Sequence, residues 1–254
     1  MTYNKEKIKN AIPAEIAELR IYAETDSTNT EAKKYALSGG SAPSLFVADR
    51  QTAGRGRMGR SFYSPEGTGI YMSLLLPAHD SLADTLLMTS AAAVAVRRAI
   101  RAVTGRETDI KWVNDLYLGG RKVCGILCEL IARENEKMII VGVGINLSTA
   151  DFPSDIADIA GSLGVSEVDA RNALCAACAT ELYNVWKELP SADFIEEYKQ
   201  YSMVLGKEIR YVENGKSYEG IAVDIDNRGR LYVKDKDEST HILASGEISV
   251  RVRN

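Results

Sequence analysis

Apolar and polar positions follow two periods along this chain, and each change of period marks an element. Residues Glu6 to about Leu19 read as a short helix interrupted at Pro13, followed by a strand near Arg20 to Ala23. In Asp26-Ser27-Thr28-Asn29-Thr30-Glu31, the Thr28 and Glu31 pair has capping-box spacing and predicts a helix to about Leu37, stopped by Gly39-Gly40. Ser44 to Ala48 and Gly69 to Pro77 read as strands. From Leu82 to Val103, the residues Leu86, Ala93, Val96, Ile100 and Val103 recur at helical spacing and predict a long helix with one apolar face. A strand cluster follows: Asp109 to Val113, Leu116 to Leu118, Lys122 to Leu130 and Lys137 to Asn146. Gly119-Gly120 and Arg133 to Glu136 serve as its hairpin turns. After a Ser, Asp and Gly-rich loop to Gly164, Ser166 is positioned to cap a helix to Leu189, and a further short helix ends near Tyr201. From Leu205 the texture changes to short strands with turns at Asn214-Gly215 and Asn227-Arg228-Gly229, which suits a small β-barrel. The expected division is residues 1–203 and 204–254.

The 254 residues are 45% hydrophobic and 26% charged, an ordinary soluble composition. A net charge of −4 argues against general nucleic-acid or membrane-surface binding. The start of the chain has no apolar stretch of the signal-peptide kind, and the run Thr85 to Val96 is too short to span a bilayer, so a cytoplasmic location is expected. Cys124 with Cys128 and Cys175 with Cys178 have spacings that zinc or disulfides use. Cys178, however, continues the apolar stripe Leu174, Leu182, Val185 and Leu189, so the thiols read as small core residues and no metal site is expected on them. His79 and His241 are the only histidines, which gives little support to histidine-centred catalysis.

The chemistry concentrates in Gln51-Thr-Ala-Gly-Arg-Gly-Arg-Met-Gly-Arg-Ser-Phe-Tyr-Ser-Pro-Glu-Gly67. Gly54, Gly56 and Gly59 allow close backbone approach, and Arg55, Arg57 and Arg60 supply fixed charge for an anionic, phosphate-bearing ligand. The spacing touches both the dinucleotide fingerprint and the Walker A loop. Both require a helix after the last glycine, and Phe62, Tyr63, Pro65, Gly67 and Gly69 cannot make one. Three other strand ends converge on the same kind of site. Lys111-Trp-Val-Asn-Asp115 ends in an amide and a carboxylate, Arg121-Lys122 opens a strand that closes at Glu129, and Val141-Gly-Val-Gly-Ile-Asn146 again carries glycines. Together they describe a cleft with cations for phosphates and polar groups for recognition.

These segments, with Asp26-Ser-Thr-Asn29 and the terminal Gly246-Glu-Ile-Ser249, resemble the biotin protein ligases over nearly the whole chain from about Arg20 to Arg251. The resemblance implies an α/β (α+β) fold: a mixed sheet with flanking helices like that of class II aminoacyl-tRNA synthetases, plus a C-terminal SH3-type barrel. It implies ATP with Mg2+ as co-substrate and biotin as substrate, joined as biotinyl-5'-AMP. The biotin is then passed to a lysine of a biotin carboxyl carrier domain. Catalytic roles fall to Arg55, Arg57, Lys122 and Asp115. Biotin contacts fall to Ser27, Thr28, Asn29, Gln51, Gly54, Arg55, Gly56, Arg57, Lys122 and Gly125. ATP contacts fall to Arg57, Arg60, Phe62, Lys111, Asn114, Lys122, Asn146 and Arg251. Phe62 stands where the family commonly has Trp, and Val113 where it has Pro; the latter is expected to loosen the turn before Asn114.

Some members of the family add an N-terminal helix-turn-helix. About twenty residues precede the resemblance here, too few for that motif, so the expectation is a ligase without DNA binding or a membrane partner. The resemblance also allows a homodimer through edge strands of the sheet. The alternatives are a lipoate or other acyl-protein ligase on the same fold, and a biotin or adenylate sensor without turnover.

Overall fold

The computed structural model describes residues 3–78, 83–134, 136–167, 169–213, 216–244, 246 and 248–250. His79, Leu82, the Asn214-Gly215 turn, Glu247 and Arg251 lie outside them, as does the side chain of Leu86. A seven-stranded mixed sheet forms the centre. Its strands are β1 (Glu18–Thr25), β2 (Ser44–Gln51), β3 (Gly69–Pro77), β4 (Asp109–Lys111), β5 (Asp115–Leu118), β6 (Arg121–Arg133) and β7 (Glu136–Asn146), in the order β1-β2-β3-β7-β6-β5-β4. β1 and β2 are parallel, and the remaining neighbours are antiparallel.

Strand alternation divides the apolar residues between two faces. Leu45 and Val47 of β2, Ile70, Met72, Leu74 and Leu76 of β3, and Val141, Val143 and Ile145 of β7 enter the main core. There they meet α1 (Lys5–Ala11), α3 (Ala83–Thr104) and α4 (Ala170–Lys187). Ala93, Val96 and Ile100 of α3 are buried in that layer, as the helical spacing predicts. On the opposite face, α2 (Thr28–Leu37) covers one end of the sheet, where Ala32 and Ala36 pack on Phe46, Leu75, Ile131 and Ile140. The other end of that face carries Gly125, Gly142 and Gly144, and the missing side chains leave a hollow.

After α5 (Phe194–Gln200), the strands β8 (Glu208–Glu213), β9 (Lys216–Ile225), β10 (Leu231–Lys234), β11 (Thr240–Leu243) and β12 (Ile248–Val250) form a five-stranded antiparallel sheet around Ile209, Tyr211, Ala222, Leu231 and Val233. Trp112 Nε1, just after β4, donates to its Gly229 carbonyl (2.9 Å), and Lys199 of α5 pairs with its Asp224 (2.9 Å).

Three local expectations change. The first helix stops at Ala11, because Pro13 cannot continue it and residues from Glu18 join the sheet. The capping box does not form: Ser27 is the N-cap, without a side-chain cap bond, and the Thr28 hydroxyl is committed to Gln51. The helix after the long loop begins at Ala170 with Asp169 as its N-cap, so Ser166 lies in the preceding loop.

Candidate active site

The hollow over the glycine end of the sheet is a partly open cleft, closed on one side by the segment after β2. Glycines are required here because other groups of the chain occupy the space. A Cβ on Gly142 would overlap the Asn29 amide, and one on Gly144 would come within 2.5 Å of the Phe62 ring. Phe62 also meets Tyr71 edge-on, with ring centroids 6.4 Å apart.

Ser27, Thr28, Asn29 and Gln51 make a polar wall at the start of α2. The Thr28 N–H and hydroxyl donate to Gln51 Oε1 (2.9 and 3.2 Å), and Gln51 Nε2 donates to Ser64 Oγ (2.9 Å). Ser73 Oγ lies 2.7 Å from Thr28 Oγ1 and 2.6 Å from Asn29 Oδ1, and its single proton serves one of them. Asn29 Nδ2 donates to Glu129 (2.8 Å). Ser27, Thr28 and Asn29 are almost fully buried, so these bonds set their orientation.

Cations line the rest. Arg55 grips Glu129 with two prongs (2.9 and 3.0 Å), the planar geometry that favours Arg over Lys. Arg57 Nη1 donates to Asn114 Oδ1 (3.1 Å), while Asn114 Nδ2 donates to the Ile126 carbonyl (2.8 Å), which ties the arginine loop to the β4–β5 turn. Lys122 Nζ lies 2.8 Å from Asp115 Oδ1, an ionic contact off the hydrogen-bond line. Arg60, Lys111, Gly56 and Gly125 also line the cleft, and Gly246 and Ile248 add a wall from the C-terminal sheet.

Two expected contacts sit elsewhere. Gly54 lies behind the cleft, where a Cβ would strike the Phe62 carbonyl and Ser64, so its smallness serves the loop's own packing. Asn146 is buried off the lining and donates to the Gly161 carbonyl (2.9 Å), leaving its Oδ1 without a partner. The turn before Asn114 is not loose. Val113 is buried, and its carbonyl accepts from Tyr198 Oη (3.2 Å).

Sequence reasoning missed the pairing of Glu129 with Arg55 and Asn29, and the parts played by Ser73 and Ser64. Ser73 carried a signal, as a small polar residue inside the apolar run of β3. All four cysteines are free thiols. Cys124, Cys175 and Cys178 are buried, and burial raises their pKa values, Cys175 to about 12, so they stay protonated at neutral pH.

The biotin/lipoate A/B protein ligase family model matches residues 22–146, and the biotin protein ligase C terminal domain model matches residues 204–251. The bifunctional ligase/repressor BirA of Bacillus spizizenii is 32% identical over 92% of this chain and 75% of its own length. The biotin–[acetyl-CoA-carboxylase] ligase of Mycobacterium tuberculosis is 30% identical over 91% of this chain and 88% of its own. Among solved structures, the Aquifex aeolicus biotin protein ligase in complex with biotin and ATP superposes with a TM-score of 0.78. It is 28% identical, over 92% of this chain and 99% of that one.

Proposed function

This chain belongs to the biotin/lipoate A/B protein ligase family, and from that premise we propose how its cleft attaches biotin to a carrier lysine. The protein is an ATP-dependent biotin ligase working through biotinyl-AMP. The observation that carries the residue roles is the meeting, in one cleft, of a buried polar wall with a ring of cations.

Thr28 and Gln51, already oriented by each other and by Ser64 and Ser73, present fixed donors and acceptors to the neutral ureido head. The biotin carboxylate and the triphosphate repel one another, and Arg57 and Lys122 neutralise both where they meet. A carboxylate oxygen attacks the α-phosphorus, and the bond to the pyrophosphate oxygen breaks with its electron pair leaving on pyrophosphate. Fixed cations at that point favour the charge that develops on the phosphoryl oxygens. Arg55, already paired with Glu129, acts more as a strut for Asn29 and the loop than as a free countercharge.

Lys111, Asn114, Arg60 and Phe62 line the cleft on the nucleotide side of this reading. The ATP enters with Mg2+, which takes most of its ligands from phosphates and water and needs few protein oxygens. In the second step the carrier's lysine amine attacks the anhydride carbonyl and AMP departs, with Asp115 placed to orient the amine or take its proton. The carrier partner in this reading is the biotin carboxyl carrier domain of a carboxylase, which two relatives named as biotin–[acetyl-CoA-carboxylase] ligases support. No helix among the described residues is long and apolar enough to cross a membrane. The division at residues 203 and 204 and a homodimer through edge strands of the central sheet belong to the same proposal.

Pyrophosphate–ATP exchange with biotin, lipoate and octanoate in parallel tests the acid. Exchange with biotin is expected, and exchange with lipoate or octanoate instead would move the substrate. The Arg57–Asn114 bond should also hold the loop over the mixed anhydride, which water would otherwise destroy. Arg57→Ala is therefore expected to release biotinyl-AMP about ten-fold faster, as the loss of one charged hydrogen bond allows. Stray biotinylation of a non-carrier protein would follow it. Unchanged retention would count against the loop as a lid.

A further inference from the structure

We propose that Arg171, on α4 and outside every stretch that suggested the ligase reaction, is a positioning residue that clamps the two feet of the arginine loop and so shapes the biotin end of the cleft. The inference rests on the ligase reading above. β2 and β3 pair only as far as Ala48 and Tyr71. Beyond that point β2 stays with β1 through Gln51, while β3 stays with β7 from Gly69. The two strands part where the intervening loop leaves and returns, and the ladder bonds between them end. The Arg171 guanidinium fills the fork. Its Nε donates to the Gly69 carbonyl on β3 (2.8 Å), Nη1 bonds the Asp49 carboxylate on β2, and Nη2 reaches the Asp49 carbonyl (3.4 Å). The Tyr3 ring covers the cation at 4.0 Å, and its hydroxyl points to the Gly69 carbonyl at 3.5 Å. Arg171 is 3% exposed and Asp49 7%, so this is a dry, two-strand bridge.

Each foot is two residues from a group that shapes the cleft. Asp49 precedes Gln51, which receives the Thr28 N–H and hydroxyl. Gly69 precedes Tyr71, whose hydroxyl donates to the Pro65 carbonyl (2.9 Å) and whose ring meets Phe62. Of the nucleotide-side residues, Lys111 and Asn114 stand on β4 and its turn, away from the clamp, whereas Arg60 and Phe62 ride on the loop it holds. A planar fork can hold two strands at once, whereas an ammonium is a point charge that answers one of them.

The test uses the full chain as wild type, Arg171→Lys, and Asp49→Asn, which preserves side-chain shape. Trypsin cuts after arginine, so the rate of cleavage at Arg55, Arg57 and Arg60 reports local opening of the loop without reference to activity. In Arg171→Lys that rate is expected to rise about five-fold or more at temperatures well below global unfolding. In exchange assays the KM for biotin is expected to rise about ten-fold and the KM for ATP by less, about three-fold, since only Arg60 and Phe62 of the nucleotide side ride on the clamped loop. Unchanged cleavage with unchanged biotin KM overturns the proposal. So does an equal change in both KM values with a lowered Tm, which is the mark of a merely structural residue. If Arg171→Lys does not fold, Asp49→Asn is read by the same two criteria. Wild-type protein that exchanges with no acid would sink the ligase reading, while the cleavage rates would still decide the clamp.

Discussion

Lys122→Met is expected to lower biotin-dependent pyrophosphate–ATP exchange by about 10²–10³-fold, the usual cost of losing one aimed group that stabilises developing charge. Methionine reaches as far as the lysine Cε and lacks only the charged terminal atom, so most of the packing beside Gly125 survives and the effect is mainly electrostatic. Two anions must approach within bonding distance in a partly dry cleft, where an uncompensated charge is far more costly than in water. Lys122 starts this work already oriented by Asp115 at 2.8 Å. Asp115→Asn separates the two halves of the reaction. It should leave exchange within about ten-fold of wild type while slowing transfer to the carrier by about 10²-fold or more, the range of general-base effects. Exchange by Lys122→Met at the wild-type rate would remove Lys122 from the adenylation step.

Gly142→Ala is expected to combine a large functional loss with a modest loss of stability. The new methyl would overlap the Asn29 amide, which cannot swing aside freely because Ser73 and Glu129 hold both of its ends. Overpacking of this kind costs about 1–3 kcal/mol, which corresponds to a fall in Tm of roughly 3–10 °C for a chain of this size. Displacing Asn29 also pulls on Glu129, and through it on Arg55. Biotin affinity measured by calorimetry should therefore fall by more than about ten-fold, because the polar wall is misplaced by more than the fraction of an ångström that recognition tolerates. Wild-type biotin affinity in a protein with lowered Tm would mean that the wall adjusts independently of β7.

Much of the site was legible in local sequence because the chemistry needs residue types that have few other uses in such company. Three glycines and three arginines between two apolar strands are unfavourable as a core and unnecessary as a turn. The strands themselves were legible as short apolar runs between turn residues, and β3 runs over the residues predicted for it, Gly69–Pro77. Helix starts were less legible. Thr28 had the spacing of a cap but gave its hydroxyl to Gln51, and the predicted cap at Ser166 gave way to a start at Ala170. A side chain with a buried distant partner gains more from it than from an exposed local cap, and local spacing cannot reveal that partner.

By itself, then, the sequence determined the kinds of element and the position of the glycine-arginine loop, since each follows from periodicity or from the stereochemistry of single residues. Only the tertiary structure decided which groups share charge and space. Arg55 meets Glu129 across 74 residues of chain, Trp112 meets Gly229 across 117, and Arg171 meets Asp49 across 122. The glycines of β7 were open to any close neighbour, and the fold assigned them to Asn29 and Phe62. Such pairings depend on strand order and on how a sheet splays, and both arise when distant segments are packed together in competition for one interior.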